Sequence, residues 1–395
     1  MPEIALFRVR NQPIGSLRAG YHRLFLWSFS LFFIFGNFLR FLEIGFFRSH
    51  FSLAEGALYG LALPLYFAKI RKGFFLIFVI GGSSLYGVFL HGLDYSGILY
   101  GARLIGMIAA GVALGEILPE EERIGFFLRK FTWLLVLGAA IFVFFPSTPK
   151  FFTFLQAFGI QFYGDPHQNR FISPLFDPNY YSVVAIIPLL LIWRLPQKKK
   201  RHLLLAGLIL LSILLTWSRG GIASCALVLT LAALSKRPTL SFRRIVFFGG
   251  ASLLLVTGVF LYAEPFLVFA RRLIYLFDDP SAHCRYKSIL YGVHFFQQAP
   301  FFGVGYNFLP QLLLEEFGFI GIDPSWLFTL ATFGLVPTLA FGAFIGYQIL
   351  SRKKSLPPLF AIYLGVSIFF SCWFVNLWYY PYWLIPMIAL CTWKK

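Results

Sequence analysis

Charge is scarce in this sequence. Asp, Glu, Lys and Arg together make up 13% of its 395 residues, and 16 of those positions are acidic against 34 basic. A soluble domain so poor in charge has no means of covering its surface, because 58% of the chain is hydrophobic and its 51 Phe are spread along the whole length. Cysteine is sparse as well. Cys225, Cys284, Cys372 and Cys391 show no paired spacing, which supports neither a zinc site nor a disulfide framework. No internal repeat or low-complexity tract is evident, and no small-residue cleavage site follows the first apolar run. That run, preceded by Arg8, Arg10, Arg18 and Arg23, therefore reads as a retained span and not as a signal peptide.

What is present in quantity is apolar chain in stretches of membrane length. Read against a hydrocarbon core about 30 Å thick, the sequence predicts helices near 24–41, 51–68, 73–92, 97–115, 131–146, 178–194, 203–217, 221–235, 245–263, 326–350, 357–376 and 378–393. The expected fold is all-α: a polytopic membrane helical bundle of about twelve transmembrane helices, with residues 1–395 as one integral membrane domain. The net charge of +18 does not indicate nucleic acid, since the basic residues lie in short clusters between apolar segments. Counted along twelve alternating spans, 24 of them fall in loops on the N-terminal side and nine on the other. By the positive-inside rule both termini are cytoplasmic.

Two segments on the outer side in this topology, about 147–177 and 264–325, are long enough to do more than connect spans. The second, between the ninth and tenth spans, is the main extracytoplasmic segment. It opens with a basic amphipathic stretch from Pro265 to Phe277 that includes Arg271 and Arg272, best read as contacts to anionic lipid. Ser281 is placed to cap a helix of about 282–298. On that helix Ile289, Val293 and Phe296 form an apolar stripe, and Lys287, Tyr291, His294 and Gln298 a polar one. The two glycines of Phe301-Phe302-Gly303-Val304-Gly305 mark a flexible break before the next span.

A few charges stand where charge is expensive. Arg219, in Leu214-Leu215-Thr216-Trp217-Ser218-Arg219-Gly220-Gly221, falls at the junction of two apolar stretches. An arginine at membrane depth costs about 2.5–3.5 kcal/mol on insertion scales, so it needs an anion, a water-filled cavity or the headgroup layer. Arg103 and Glu55 lie inside spans, where they can pair with each other or with a lipid phosphate. Asp177-Pro178 and Asp323-Pro324 both have the form of a helix start, with Asp as cap and Pro in the first turn. Asp278-Asp279 lacks the Asp-x-Asp spacing of a nucleotide-sugar metal site.

Three elements in order resemble the O-antigen ligase and O-antigen polymerase superfamily of bacterial membrane glycan transferases. They are Phe171-Ile172-Ser173-Pro174-Leu175-Phe176-Asp177-Pro178-Asn179, then Leu215 to Gly221, then a stretch from Arg285 through Ala299 to Gly305 and on to Asp323-Pro324-Ser325-Trp326-Leu327, Leu330 and Gly334-Leu335. The resemblance implies transfer of a glycan from a polyprenyl-diphosphate carrier to a sugar hydroxyl at the outer face of the bacterial inner membrane. The acceptor would be lipid A-core or a growing glycan, with no cofactor and no nucleic acid involved.

It also implies roles for individual residues. Arg219 and Arg285 match the family's outer-face arginines and would hold the diphosphate, which arginine grips in a bidentate fork. Arg271, Arg272 and His294 are further candidates for substrate binding, and His283 and His294 lie near enough to Arg285 in sequence to supply a base. In the ligase branch a histidine typically stands eleven residues before the glycine matched by Gly334; Asp323 occupies that position here and becomes the candidate base. With the histidine replaced, ligase and polymerase both fit. No metal is expected, since arginines supply the charge a cation otherwise would. A transporter or lipid-linked glycan flippase is the alternative, but such proteins carry ionisable residues near mid-membrane and often a two-half repeat, whereas the candidate polar groups here gather at one surface.

Overall fold

The computed structural model describes residues 16–40, 53–67, 73–92, 95–145, 148–157, 170–195, 199–234, 280–306, 308–318, 321–340 and 358–391. Within them the chain is helical, with no strand. In chain order the helices are α1 (Ser16–Arg40), α2 (Leu53–Phe67), α3 (Gly73–His91), α4 (Tyr95–Ile117), α5 (Glu120–Phe144), α6 (Thr148–Gln156), α7 (Pro178–Val184), α8 (Ile186–Arg194), α9 (Lys200–Leu215) and α10 (Arg219–Leu234). There follow α11 (Pro280–Gln298), α12 (Leu309–Phe317), α13 (Ser325–Phe333), α14 (Pro358–Phe369) and α15 (Pro381–Cys391). Eleven of the twelve stretches expected from the sequence overlap these helices. The expected span at 245–263, the basic stretch with Arg271 and Arg272, and Asp278-Asp279 lie outside the described residues.

Residues 98–117 of α4 and all of α5 are long and apolar enough to cross a membrane, and shorter apolar helices run over Phe78–His91, Arg219–Ala232, Phe360–Trp373 and Pro381–Cys391. The outward faces of the helices carry large apolar groups: Phe89 of α3 is 84% exposed and Trp27 of α1 75%. Water does not tolerate such a surface on a folded monomer, and lipid does. An apolar groove of about 420 Å³ between α1 and α5, lined by Leu31, Phe35, Phe38 and Phe144 among others, belongs to this face and holds none of the candidate residues.

Two expected spans are interrupted. The stretch 178–194 breaks at Ala185 into α7 and α8, because Pro188 has no N–H to offer the Val184 carbonyl and its ring crowds that oxygen. The stretch expected at 326–350 breaks at Gly334, which has φ +70°, before residues 335–340 turn helical again. Pro337 lies just beyond and cannot donate to Phe333. The last two stretches are also not plain helices, since 3-10 turns over Ser371–Trp373 and Leu377–Tyr379 occupy the chain between α14 and α15.

The core is strongly aromatic. Phe29 and Phe33 of α1 pack against Phe126, Phe127 and Phe131 of α5, and Tyr382 of α15 stacks on Phe32 at 5.1 Å. Within it Arg103 of α4 donates from Nη2 and Nε to Glu55 Oε1 of α2, at 2.8 and 3.2 Å, so the two buried charges pair with each other.

Helix ends gather in two groups. At one end Arg123 donates to the carbonyls of Leu118 and Ala389 at 2.7 and 2.8 Å, and Arg194 pairs with Glu120. These contacts join the last turns of α4, α8 and α15 to the first turn of α5. The opposite end holds the starts of α7, α10 and α13 and the turn between α14 and α15. All the candidate catalytic residues lie at this second end.

Candidate active site

Three helix starts meet there, and each is built by a local sequence feature. Asp177 caps α7: its Oδ1 accepts from the amides of Asn179 and Tyr180 at 2.6 and 3.2 Å, with Pro178 in the first turn, as the Asp-Pro form predicts. Ser218 caps α10, its Oγ accepting from the Gly221 amide at 3.2 Å. The chain reaches that cap through Trp217 at φ +53°, a left-handed residue that lets α9 reverse into α10 within a few positions. The Gly-Gly after Arg219 has a packing reason. A Cβ on Gly221 would fall 1.8 Å from Ser182 Oγ of α7, and one on Gly220 would fall 2.9 Å from the Phe374 ring. Arg219, half-buried, thus stands on a helix turn wedged between α7 and the turn that follows α14.

The third start departs from expectation. Asp323 does not occupy the cap position of α13: the helix begins at Ser325 with Pro324 as N-cap and no side-chain cap hydrogen bond. The Asp323 amide donates to Ser288 Oγ of α11 at 2.8 Å, which turns the aspartate towards that helix. There its Oδ2 lies 3.8 Å from Arg285 Nε. This is ion-pair contact but too long for a hydrogen bond, and Arg285 Nε is a buried atom without a hydrogen-bond partner. Two candidates well separated in sequence are therefore brought together, with the Arg285 side chain 25% and the Asp323 side chain 50% exposed.

Helix α11 packs differently from the expected pattern. It begins at Pro280, so Ser281 lies inside the first turn and is not its cap. Its buried face is Ser288, Gly292 and Phe295, whereas Val293 of the expected apolar stripe is 37% exposed. Small residues let α11 approach α13 closely: a Cβ on Gly292 would lie 2.6 Å from the Leu327 side chain. His294 belongs to another set of contacts. Its Nε2 lies 2.9 Å from Glu316 of α12 and 2.8 Å from Gln298, and nine residues of helix, about 13 Å of rise, separate it from Arg285. His283 is exposed near the start of the same helix.

The segment Phe301–Gly305, expected to be a flexible break, is pinned. Val304 and Gly305 donate to the carbonyls of Ala331 and Thr332 at 3.0 Å, while Leu335 and Val336 donate back to Pro300 and Phe301 at 2.8 and 3.0 Å. The break at Gly334 supplies the free backbone groups, and Gly303 at φ +68° permits the approach, since a Cβ there would lie 2.3 Å from the Thr332 carbonyl oxygen. This backbone lock ties the far end of α11 to the far end of α13, while the Asp323 amide bond to Ser288 ties their near ends.

Several residues at this end were not singled out from the sequence. Arg170 donates from Nε to the Thr216 carbonyl at 2.7 Å and from Nη2 to Asn179 Oδ1 at 3.2 Å, joining the approach to α7 to the turn before Arg219. Its only sequence signal was its place directly before Phe171. Ser325 Oγ donates to the Val375 carbonyl at 3.0 Å and accepts from the Leu377 amide at 2.7 Å. Through that turn the Arg219 helix, which touches Phe374, is connected to the helix that follows Asp323. Among the described residues no group of three or more His, Cys, Asp or Glu side chains is placed to hold a metal ion.

Comparison with known proteins bears on the same stretch. The family model described as O-antigen ligase matches residues 204–342, which include Arg219, Arg285, Asp323 and the Gly303–Gly334 lock. No curated protein and no solved structure matches the chain. That match makes residues 204–342 similar to the O-antigen ligase family, and the apolar helices around them are in keeping with a membrane protein.

Proposed function

We propose that the protein transfers a glycan from a polyprenyl-diphosphate carrier to a sugar hydroxyl at the outer face of the bacterial inner membrane, as an O-antigen ligase or polymerase. The observation that supports this reading is the Arg285–Asp323 pair, 3.8 Å apart inside the family-matched stretch. The reaction asks for these two groups side by side. The acceptor oxygen attacks the anomeric carbon, the bond from that carbon to the diphosphate breaks, and the diphosphate leaves with the bonding electrons. A fixed cation lowers the cost of that developing charge, and a carboxylate receives the hydroxyl proton. Arg285, its side chain 25% exposed, brings the fixed cation whose guanidinium can grip phosphate oxygens. Arg219, on the first turn of α10 at the same end of the bundle, is the second cation. Metal is not required in this scheme. The topology that goes with it puts this end outside, and the arginine-rich end with Arg123 and Arg194, like both termini, in the cytoplasm.

The test is transfer by the purified full chain from a polyprenyl-diphosphate-linked glycan. Arg285→Ala is expected to lower the rate about 100- to 1000-fold and Asp323→Asn about 100-fold or more, with excess chelator leaving the wild-type rate unchanged. Product identity assigns the branch, since a ligase makes lipid A-core-linked glycan and a polymerase lengthens the carrier-linked chain. Full activity in both Arg219→Ala and Arg285→Ala would remove the diphosphate-binding role.

A further inference from the structure

Between α11 and α12 the chain descends among the membrane-length helices. Because α4 finishes at the Arg123 end of the bundle, it starts at the Asp323 end, where α3 also finishes and α13 starts. Three helices then gauge how far residues 299–306 go down from that end. The Gly305 amide donates to the Thr332 carbonyl, seven residues along α13, about 10 Å of rise. The Tyr306 amide donates at 3.4 Å to the Ser83 carbonyl, eight residues before the end of α3, about 12 Å. A Cβ on Gly101, six residues into α4 or about 9 Å down, would fall 3.8 Å from the Tyr306 ring. The chain then returns. Phe308 lies against Gly87 and has its ring 5.5 Å from that of His91, and at the end of α12 Glu316 meets His294 while Phe317 stacks on Tyr291 at 4.1 Å.

Non-helical backbone at membrane depth is tolerated only where protein or a water-filled cavity satisfies its polar groups. This stretch meets that condition. The amides of Val304, Gly305 and Tyr306 all donate to carbonyls of α13 or α3, and the Val304 carbonyl lies 2.9 Å from His91 Nε2. Gly303 to Tyr306 are buried, yet Phe301 and Phe302, just before them, are 63% and 52% exposed. The Phe302 ring lies 6.0 Å from that of Tyr86 of α3, beside exposed Leu85 and Phe89, and the backbone lock sets exposed Leu335 and Val336 next to Phe301. The two rings therefore continue the apolar surface that α3 turns to lipid. We propose that α11 and α12 form a re-entrant hairpin, which enters the bilayer from the Asp323 end, rests Phe301 and Phe302 against acyl chains and returns without crossing. Residues 299–306 of the segment expected outside the membrane then lie within it. The polar flank, where His294 and Gln298 meet Glu316, is the hairpin's water-facing side. The proposal goes beyond the transferase reading and does not depend on it. Its consequence for that reading is one of position: Arg285 stands thirteen residues before Gln298, about 20 Å of helix, and the inserted tip holds it at a fixed height near the headgroups.

The experiment places a nitroxide on single accessible cysteines of the full chain in phosphatidylethanolamine–phosphatidylglycerol vesicles. Cys284 and Cys391 are changed to Ala, and Phe301→Cys, Phe302→Cys or Leu335→Cys is added; Cys225 and Cys372 are buried and stay. Each label's collisions with oxygen, which dissolves in hydrocarbon, are compared with those of a nickel chelate, which stays in water. Phe89→Cys in the same background is the lipid standard, and native Cys284, exposed near the start of α11, is the water standard in a chain with only Cys391 replaced. The oxygen-to-nickel ratio at Phe301→Cys and Phe302→Cys is expected to match that at Phe89→Cys and to exceed that at Cys284. All three test positions are exposed, so the substitutions should leave the fold intact, and Leu335→Cys reads the same face should either phenylalanine variant fail to fold. A ratio at these positions equal to that of Cys284 would overturn the hairpin, leaving the segment in water. Shielding from both reagents would overturn the lipid contact as well, with dipolar broadening between labels then assigning the face to a second copy of the chain. A water-like ratio at Phe89→Cys would remove the lipid face of α3 and the hairpin's face with it.

Discussion

Ser325→Ala is the sharpest test of how the site is assembled. The Ser325 side chain is fully buried and makes two hydrogen bonds to one turn, donating to the Val375 carbonyl at 3.0 Å and accepting from the Leu377 amide at 2.7 Å. Alanine removes both and leaves a carbonyl and an amide facing an apolar methyl. Each unsatisfied buried group costs about 1–3 kcal/mol; allowing for relaxation of the turn, the pair should cost about 2–4 kcal/mol of local stability. A built-in probe reads this out. Cys372, in the 3-10 turn that precedes Val375, is a free and fully buried thiol, so it reacts with a maleimide only when the turn opens. In a background with Cys284 and Cys391 changed to Ala, Ser325→Ala should speed Cys372 labelling about 30- to 1000-fold, since 1.4 kcal/mol is a factor of ten. Cys225, buried in α10, serves as the internal control and should keep its rate. An acceleration of Cys372 below threefold would refute the clamp. An equal acceleration of both thiols would show global loosening instead. Transfer activity should fall with the local opening, because the same turn connects the Arg219 helix to the helix that follows Asp323.

Two further outcomes follow from contacts away from the chemistry. Glu55→Leu leaves Arg103, only 5% exposed, as an unpaired buried charge and should cost about 3–5 kcal/mol in mixed-micelle unfolding. The double variant with Arg103→Met should recover most of that loss, whereas additive losses would contradict the pairing. Gly334→Ala would place a Cβ 2.4 Å from the amide nitrogens of Phe302 and Gly303, at φ +70°. The strain alone is about 1–3 kcal/mol, so both stability and transfer should drop. Gly207→Ala in α9 has nothing within 4 Å of its new Cβ and should be neutral or stabilising by up to about 1 kcal/mol; equal effects at the two glycines would refute the lock.

Helices were legible in this chain because the bilayer thickness sets their length, and a run of apolar residues reports that directly. Interruptions were harder to read for the same reason. Pro188 and Gly334 sit inside apolar runs and barely alter mean hydropathy, yet one removes a backbone hydrogen bond and the other reverses φ. The face of α11 was misjudged on different grounds. Apolar side chains point inward only when the surroundings are water, and beside a membrane the buried face is the one whose small residues, Ser288 and Gly292, let two backbones approach.

The two Asp-Pro pairs show what local sequence cannot carry. Asp177 and Asp323 have the same neighbour and the same predicted role, and the structure gives them different ones. Asp177 turns back on its own helix and spends its carboxylate on two backbone amides. Asp323 has its amide drawn to Ser288 and its carboxylate set against Arg285, both on a helix that reaches it only through the Gly303–Gly334 lock and the packing of Gly292. A cap is a property of four consecutive residues and can be read from them. A carboxylate held beside a guanidinium is a property of two helices, and the residues that position it are glycines and a serine whose own chemistry gives no hint of the reaction. The resemblance to a glycan-transferase family could match Asp323 and Arg285 to functional positions, but only the packing of α11 on α13 makes them neighbours.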